Sequence, residues 1–237
     1  MTSSKQLPLD LFIRDEYKLD NFHVSVKNAE LLATLKRGRG VDPGFYFIWG
    51  EEGAGKSHLL QALCQQSELQ ALRQQSESAV YVPLAQLKTH SPEVLESLET
   101  LALVCLDDVD AVLGLEEWEG RLFQFFNRMR ETGNRLLVSA RVAPRGLQSG
   151  LADLLSRLSW GVVYQLHALD EPEKCQVLQA RALSRGIVLD QDLLNYILLR
   201  GSRSTTGLFQ ILDRLDQLSL MEKRKITIPF IKNIMQW

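Results

Sequence analysis

The chain has 237 residues, 45% of them hydrophobic, which suits one large α/β domain or one such domain with a smaller helical partner. Its formal net charge of -2 gives no sign of the strongly basic character of a domain that grips duplex DNA by itself. The three cysteines, Cys64, Cys105 and Cys175, are odd in number, far apart and set in apolar segments, so they read as small buried hydrophobes of a reducing compartment. In chain order, residues 1–16 form a tail that holds "QLPLDLF", and Asn28–Arg37 carries one helical apolar face. "FYFIW" (45–49) is a strand suited to burial on both faces, followed by "GEEGAGKS" and a helix through Leu59, Leu60 and Leu63. Further strands are "AVYVPL" (79–84), "LALVCLDD" (101–108), "RLLVSA" (135–140) and "VVYQL" (162–166). Between them, Ser91 and Pro92 predict an N-cap leading into a helix over Val94–Leu98, and residues 116–132 predict a longer one.

Strands alternating with helices predict a parallel five-stranded sheet sandwiched by helices. After Leu166 only the helical period remains. Asp170 and Glu173 form a capping box, Gly186 and Gly201 end two helices, and a third uses Leu208, Ile211, Leu212 and Leu215. The expected domains are the 1–16 tail, an α/β nucleotide-binding domain over 17–167, and an all-helical lid over 168–237.

"GEEGAGKS" (50–57) satisfies G-x-x-x-x-G-K-[ST]. Gly50, Gly53 and Gly55 let backbone fold around phosphate oxygens, Lys56 supplies a point charge, and Ser57 offers a hydroxyl to Mg²⁺. A chance glycine turn is the alternative, but this motif follows a strand and opens a helix, as its mechanism requires. Asp107, at the end of a buried strand, is the expected second Mg²⁺ group, and Asp108 the group that orients an attacking water. Without the P-loop, that acidic pair would read as a helix cap.

A P-loop domain with a helical lid has the outline of an AAA+ ATPase, and several stretches resemble the bacterial DnaA/Hda family. "YKLDNFHVSVKN" (17–28) is similar to the segment that wraps adenine in DnaA, "GEEGAGKSHLLQAL" to its P-loop helix, "DLLSRLSWG" (153–161) to its arginine-finger stretch, and "KITIPFIKNI" (225–234) to the end of its lid. The resemblance implies that Phe22, Ala54 and His58 join the P-loop residues around ADP or ATP. It also implies that Arg157 is a finger acting on nucleotide held by a neighbouring subunit. A surface pair of Arg157 with Asp153 is the alternative.

The sensor-2 position of the lid falls on Thr206, with Arg203 about one turn earlier as the alternative cation. The acid that follows the sensor serine is Ala140 here. Both departures remove groups that sense a γ-phosphate, so intrinsic ATPase activity is expected to be weak or absent and ADP a stable ligand.

The chain ends at Trp237, and no DNA-reading domain is expected after the lid. At its head, Gln6, Leu7, Leu9, Leu11 and Phe12 resemble the motif that docks proteins on the bacterial β sliding clamp, the β subunit of DNA polymerase III. Burying Leu9, Leu11 and Phe12 contributes about 1.5–3 kcal/mol each. Ordering the tail offsets part of this, leaving a net of about -6 to -8 kcal/mol. Folding back onto the protein's own core is the alternative for the same residues.

A short DnaA-like module headed by a clamp motif is the pattern of the regulatory inactivators of DnaA. The implied partners are DnaA and the clamp, with DNA reached only through the clamp, no membrane, a cytoplasmic location and a homodimer as an open option. The competing reading is a self-contained AAA+ ATPase of replication, such as a helicase loader, although a loader leaves the clamp motif unexplained.

Overall fold

Five apolar runs pair into one parallel sheet in the order β2-β3-β4-β1-β5. The computed structural model describes residues 17–36, 44–74, 78–202, 204–222 and 225–237. The strands are β1 (Phe45–Trp49), β2 (Ala79–Pro83), β3 (Leu103–Asp107), β4 (Arg135–Ala140) and β5 (Val162–Gln165). The helices of this part are α1 (Ala29–Leu35), α2 (Lys56–Gln74), α3 (Leu84–Leu87), α4 (Glu116–Thr132) and α5 (Ala152–Leu158). The pairing register sets Phe47 beside Val138 and Val104 beside Leu136. Those four side chains pack with Leu122, Phe125 and Phe126 of α4 and with Leu154 and Leu158 of α5. Tyr46 and Ile48 are as deeply buried, yet lie outside that cluster. Alternation along β1 sends them to the opposite face, so the run is apolar throughout because both faces are covered.

The chain divides into two compact units. One combines Lys56–Leu166 with the described residues up to Glu51, and the other combines His167–Trp237 with Glu52–Gly55. The second unit contains α6 (Glu171–Ser184), α7 (Gln191–Arg200), α8 (Thr205–Glu222) and α9 (Ile228–Met235) around its own core of Leu178, Leu194, Leu212, Leu215 and Ile231. The capping box that opens α6 is formed on both sides. Asp170 accepts from the Glu173 N–H and Glu173 from the Asp170 N–H, each at 2.9 Å. Gly186, at φ +74°, takes the left-handed turn that follows.

Several boundaries differ from expectation: β3 is shorter than 101–108, β5 ends at Gln165 and α1 is confined to Ala29–Leu35, and two further differences have a definite cause. The segment after Ser91 and Pro92 does not become a helix over Val94–Leu98. Ser91 does cap a 3-10 turn at Pro92–Leu95, but Ser97 adopts φ 64° and separates it from a second turn at Leu98–Thr100. A left-handed residue ends helical propagation. Leu84 belongs to α3 rather than to β2, because Pro83 has no N–H with which to continue the ladder.

Candidate nucleotide site

The site is built where β1, β3 and β4 end. β4 lies between the other two in the sheet, so its last residues sit between the P-loop strand and the acidic strand. The Gly50 N–H donates to the Ala140 carbonyl at 3.2 Å and ties the start of the loop to β4. Gly53 and Gly55 then take φ +79° and +100°, a backbone open to glycine and costly for other residues. Lys56 begins α2 and is buried. Its Nζ donates to the carbonyls of Gly50 at 2.8 Å and Glu51 at 3.1 Å. The lysine charge is thus folded against its own loop, at the positive end of a 19-residue helix. Ala54 is buried, while Gly55 and Ser57 are half-buried.

His58, one residue beyond Ser57, anchors the segment that precedes α1. Its ring stacks on Tyr17 with centroids 4.6 Å apart and meets the edge of Phe22 at 5.3 Å. Its Nε2 is 3.1 Å from the Lys18 carbonyl, which only accepts, so this nitrogen carries the proton. Phe22 and His58 are thereby brought together beside the P-loop. Tyr17 completes the aromatic group and was not singled out by sequence reasoning, although it opens the stretch that carries the family resemblance.

The acidic strand ends in a tighter arrangement than its sequence suggests. Asp107 is buried and both of its oxygens are engaged. Oδ2 accepts from the Tyr81 hydroxyl at 2.7 Å, and Oδ1 accepts from the Ser139 hydroxyl. Ser139 Oγ in turn accepts the Asp108 N–H at 2.9 Å. Asp108 sits at φ 54°. Its carboxyl is pushed up to about 6, by burial first and then by the Asp107 charge, with Lys56 acting against both. Ser139 thus organises the two acids. Ala140, which follows it, is fully buried and offers no polar group.

This set fits a nucleoside polyphosphate and a divalent cation. The loop's backbone, the Lys56 charge and the Ser57 hydroxyl face one kind of ligand, and Asp107 retains further lone pairs for a cation's water shell. A bound phosphate and cation would supply the charge that these residues stabilise.

The remaining predicted residues lie elsewhere. In the second unit, Thr206 is exposed at the start of α8 and lines a cavity of about 490 Å³ with Glu52, Gly53, Gln210 and Arg214. A Cβ on Gly53 would come within 2.8 Å of the Ser204 Cβ, so this approach also requires glycine. Arg203, Gln6, Leu7, Leu9, Leu11 and Phe12 lie outside the described residues.

Arg157 is half-buried in the last turn of α5. Among the described residues it makes no ion pair, so the alternative pairing with Asp153 is not formed. Its Cζ lies 3.8 Å from the centre of the Trp160 ring, and its buried Nε has no hydrogen-bond partner. Glu119 of α4 was also missed by sequence reasoning. It is a buried carboxylate that accepts the N–H of Gly114 at 2.7 Å and of Gly150 at 3.2 Å, fixing the loop that leads into α5.

Residues 14–165 match the bacterial DnaA ATPase domain family, and residues 171–235 match the family described as Hda, lid domain. An uncharacterized protein of Haemophilus influenzae is 41% identical over 98% of this chain and 99% of its own length. Among solved structures, domain III of the Thermotoga maritima replication initiation protein DnaA is similar at a TM-score of 0.77 and 19% identity, covering 94% of this chain and 97% of that one. AMPPCP-bound DnaA from Aquifex aeolicus is similar at 0.69 and 20% identity, covering 89% and 68%. The chain has the AAA+ fold, a parallel sheet with flanking helices and a helical lid, and it belongs to the Hda/DnaA family of replication proteins.

Proposed function

We propose that this protein is a regulator of replication initiation. In this reading it binds ADP with Mg²⁺ at the P-loop and docks through its N-terminal tail on the DNA-loaded β clamp. It then presents Arg157 to ATP held by DnaA. The observation that carries the reading is the state of Arg157: a guanidinium in the last turn of α5, charged and with no carboxylate partner among the described residues. Such a group is available to stabilise charge that develops on a transferring phosphoryl group, and a finger supplied in trans contributes about 10³–10⁵ in rate in other NTPases. ADP serves here as a resident ligand, because Ala140 and Thr206 stand where γ-phosphate contacts are expected. A homodimer through the same AAA+ face belongs to this proposal.

The test is single-turnover hydrolysis of DnaA-bound ATP with loaded clamp. Wild type should accelerate it, Arg157→Ala should not, and replacing Leu11 and Phe12 together by Ala should abolish clamp binding without lowering the melting temperature. Normal acceleration by Arg157→Ala would falsify the finger assignment. Loss of melting temperature with clamp binding retained would return the tail to the protein's own core.

A self-contained ATPase is the second reading, favoured by Asp108, which follows Asp107 at the end of the acidic strand, is held there through Ser139, and feels the Lys56 charge. Turnover of ATP by this protein alone, lost in Asp108→Asn, distinguishes it.

A further inference from the structure

Trp160 is 45% exposed, yet two guanidiniums lie over its ring. The Cζ of Arg157 is 3.8 Å from the ring centre and that of Arg130 is 4.2 Å. Two like charges on one indole repel each other, so apolar packing does not account for the arrangement. The backbone that carries the ring is held on both sides. The Trp160 N–H donates to the carbonyl of Arg157 itself at 3.0 Å, closing the turn after α5. Next, Gly161 lies so near β1 that a Cβ would come within 2.5 Å of the Phe45 carbonyl oxygen. Among the described residues, Arg157 has no other close anchor at its head. Phe123 is farther, at 5.5 Å, and the buried Nε has no acceptor.

A carboxylate in the place of Trp160 would fix Arg157 more strongly but would neutralise it and compete with phosphate. An aromatic face restrains the guanidinium, leaves its charge intact and releases it readily. We infer that Trp160 is a positioning residue: it holds the Arg157 guanidinium preorganised for a phosphate group presented by a neighbouring AAA+ subunit, with Arg130 restraining the same ring. The inference rests on the proposed trans action of Arg157 and adds the group that aims it.

The experiment uses the full chain in the single-turnover assay on DnaA-bound ATP with loaded clamp, over a concentration series. Trp160→Ala and Trp160→Leu should each lower the maximal rate at least tenfold, with the half-saturating concentration within twofold of wild type. Trp160→Phe, which keeps an aromatic face, should recover most of the rate. Combined with Arg157→Ala, Trp160→Ala should cause no further loss.

A ¹⁵N spectrum provides a readout that does not depend on activity. The Arg157 Nε–H resonance should carry a ring-current shift that disappears in Trp160→Leu and persists in Trp160→Phe. If Arg157→Ala is inactive but Trp160→Leu matches Trp160→Phe, or if only the half-saturating concentration changes, the platform is overturned and the finger reading stands. If Arg157→Ala stimulates normally, both fall.

Discussion

Tyr81 and Asp107 face each other across β2 and β3, the phenol donating to Oδ2 at 2.7 Å. The register sets Tyr81 opposite Cys105, and Asp107, two residues on, projects from the same face. Burial, then the Asp107 charge, pushes the phenol above any pH at which the protein is handled, so it stays protonated and donates to Asp107, while a Gln61 side-chain hydrogen bond acts against that rise. Tyr81→Phe leaves a buried carboxylate oxygen without that donor. A loss of about 1–3 kcal/mol is expected, read as a melting temperature lower by a few degrees. An unchanged melting temperature would remove Tyr81 from the network that holds Asp107.

Asp108 gives stability an acid-favouring component. Its folded value of about 6 lies above the ordinary aspartate range, so the folded protein holds the proton more tightly than the unfolded chain. This contribution is complete below about pH 4 and is lost as pH rises through about 6. Asp108→Asn fixes the neutral state. It should be more stable than wild type at pH 7.5 by about 1–2 kcal/mol, after allowing for partial exposure, and nearly equal at pH 4.5. Urea melts at the two pH values check the sign. Greater stability of wild type at pH 7.5 would show that Asp108 is ionised there without cost.

Glu119 acts in the opposite direction. Burial pushes its carboxyl up, but the N–H groups of Gly114, Gly150 and Leu151 and the Ser149 hydroxyl outweigh burial and hold it below the usual range. Its contribution is present above the ordinary glutamate value and is lost as pH falls through the depressed one. Glu119→Gln should cost about 1–3 kcal/mol at pH 7, and the difference should shrink in acid. Amide exchange at Gly150 and Leu151 should speed up in the variant. Unchanged exchange there would mean that the loop into α5 is held by other contacts.

Lys56→Ala removes the charge that now bonds to the carbonyls of Gly50 and Glu51. ADP and ATP binding should both weaken at least tenfold by calorimetry, with the fold retained. Equal ADP affinity in the variant would take Lys56 out of the phosphate site.

The sheet and the second unit were legible because their signals are local. "FYFIW" is apolar at every position because both faces are covered, and Asp170 and Glu173 announce a helix start three residues apart. The P-loop was legible because phosphate chemistry demands adjacent residues. What the sequence hid depends on register and packing. Tyr81 meets Asp107 only after β2 is aligned with β3. Trp160 joins Arg130 only when the turn after α5 packs against α4. Glu119 reads as one more acid in the first turn of α4 until the loop at Gly150 closes over it. Ser97 carries no signal of its left-handed backbone.

The order of strands also governs how the chain is made. β1 pairs only with β4 and β5, which begin at Arg135 and Val162. During synthesis from the N-terminus, the aromatic run of β1 therefore leaves the ribosome long before its hydrogen-bonding neighbours exist. The P-loop that follows it has no completed sheet to hang from until β4 has emerged. Contacts this distant in sequence form slowly and leave apolar strand edges open in the interim. Nascent chains stalled before Arg135 should recruit chaperones through "FYFIW" and lack nucleotide affinity, although the whole loop has already been translated.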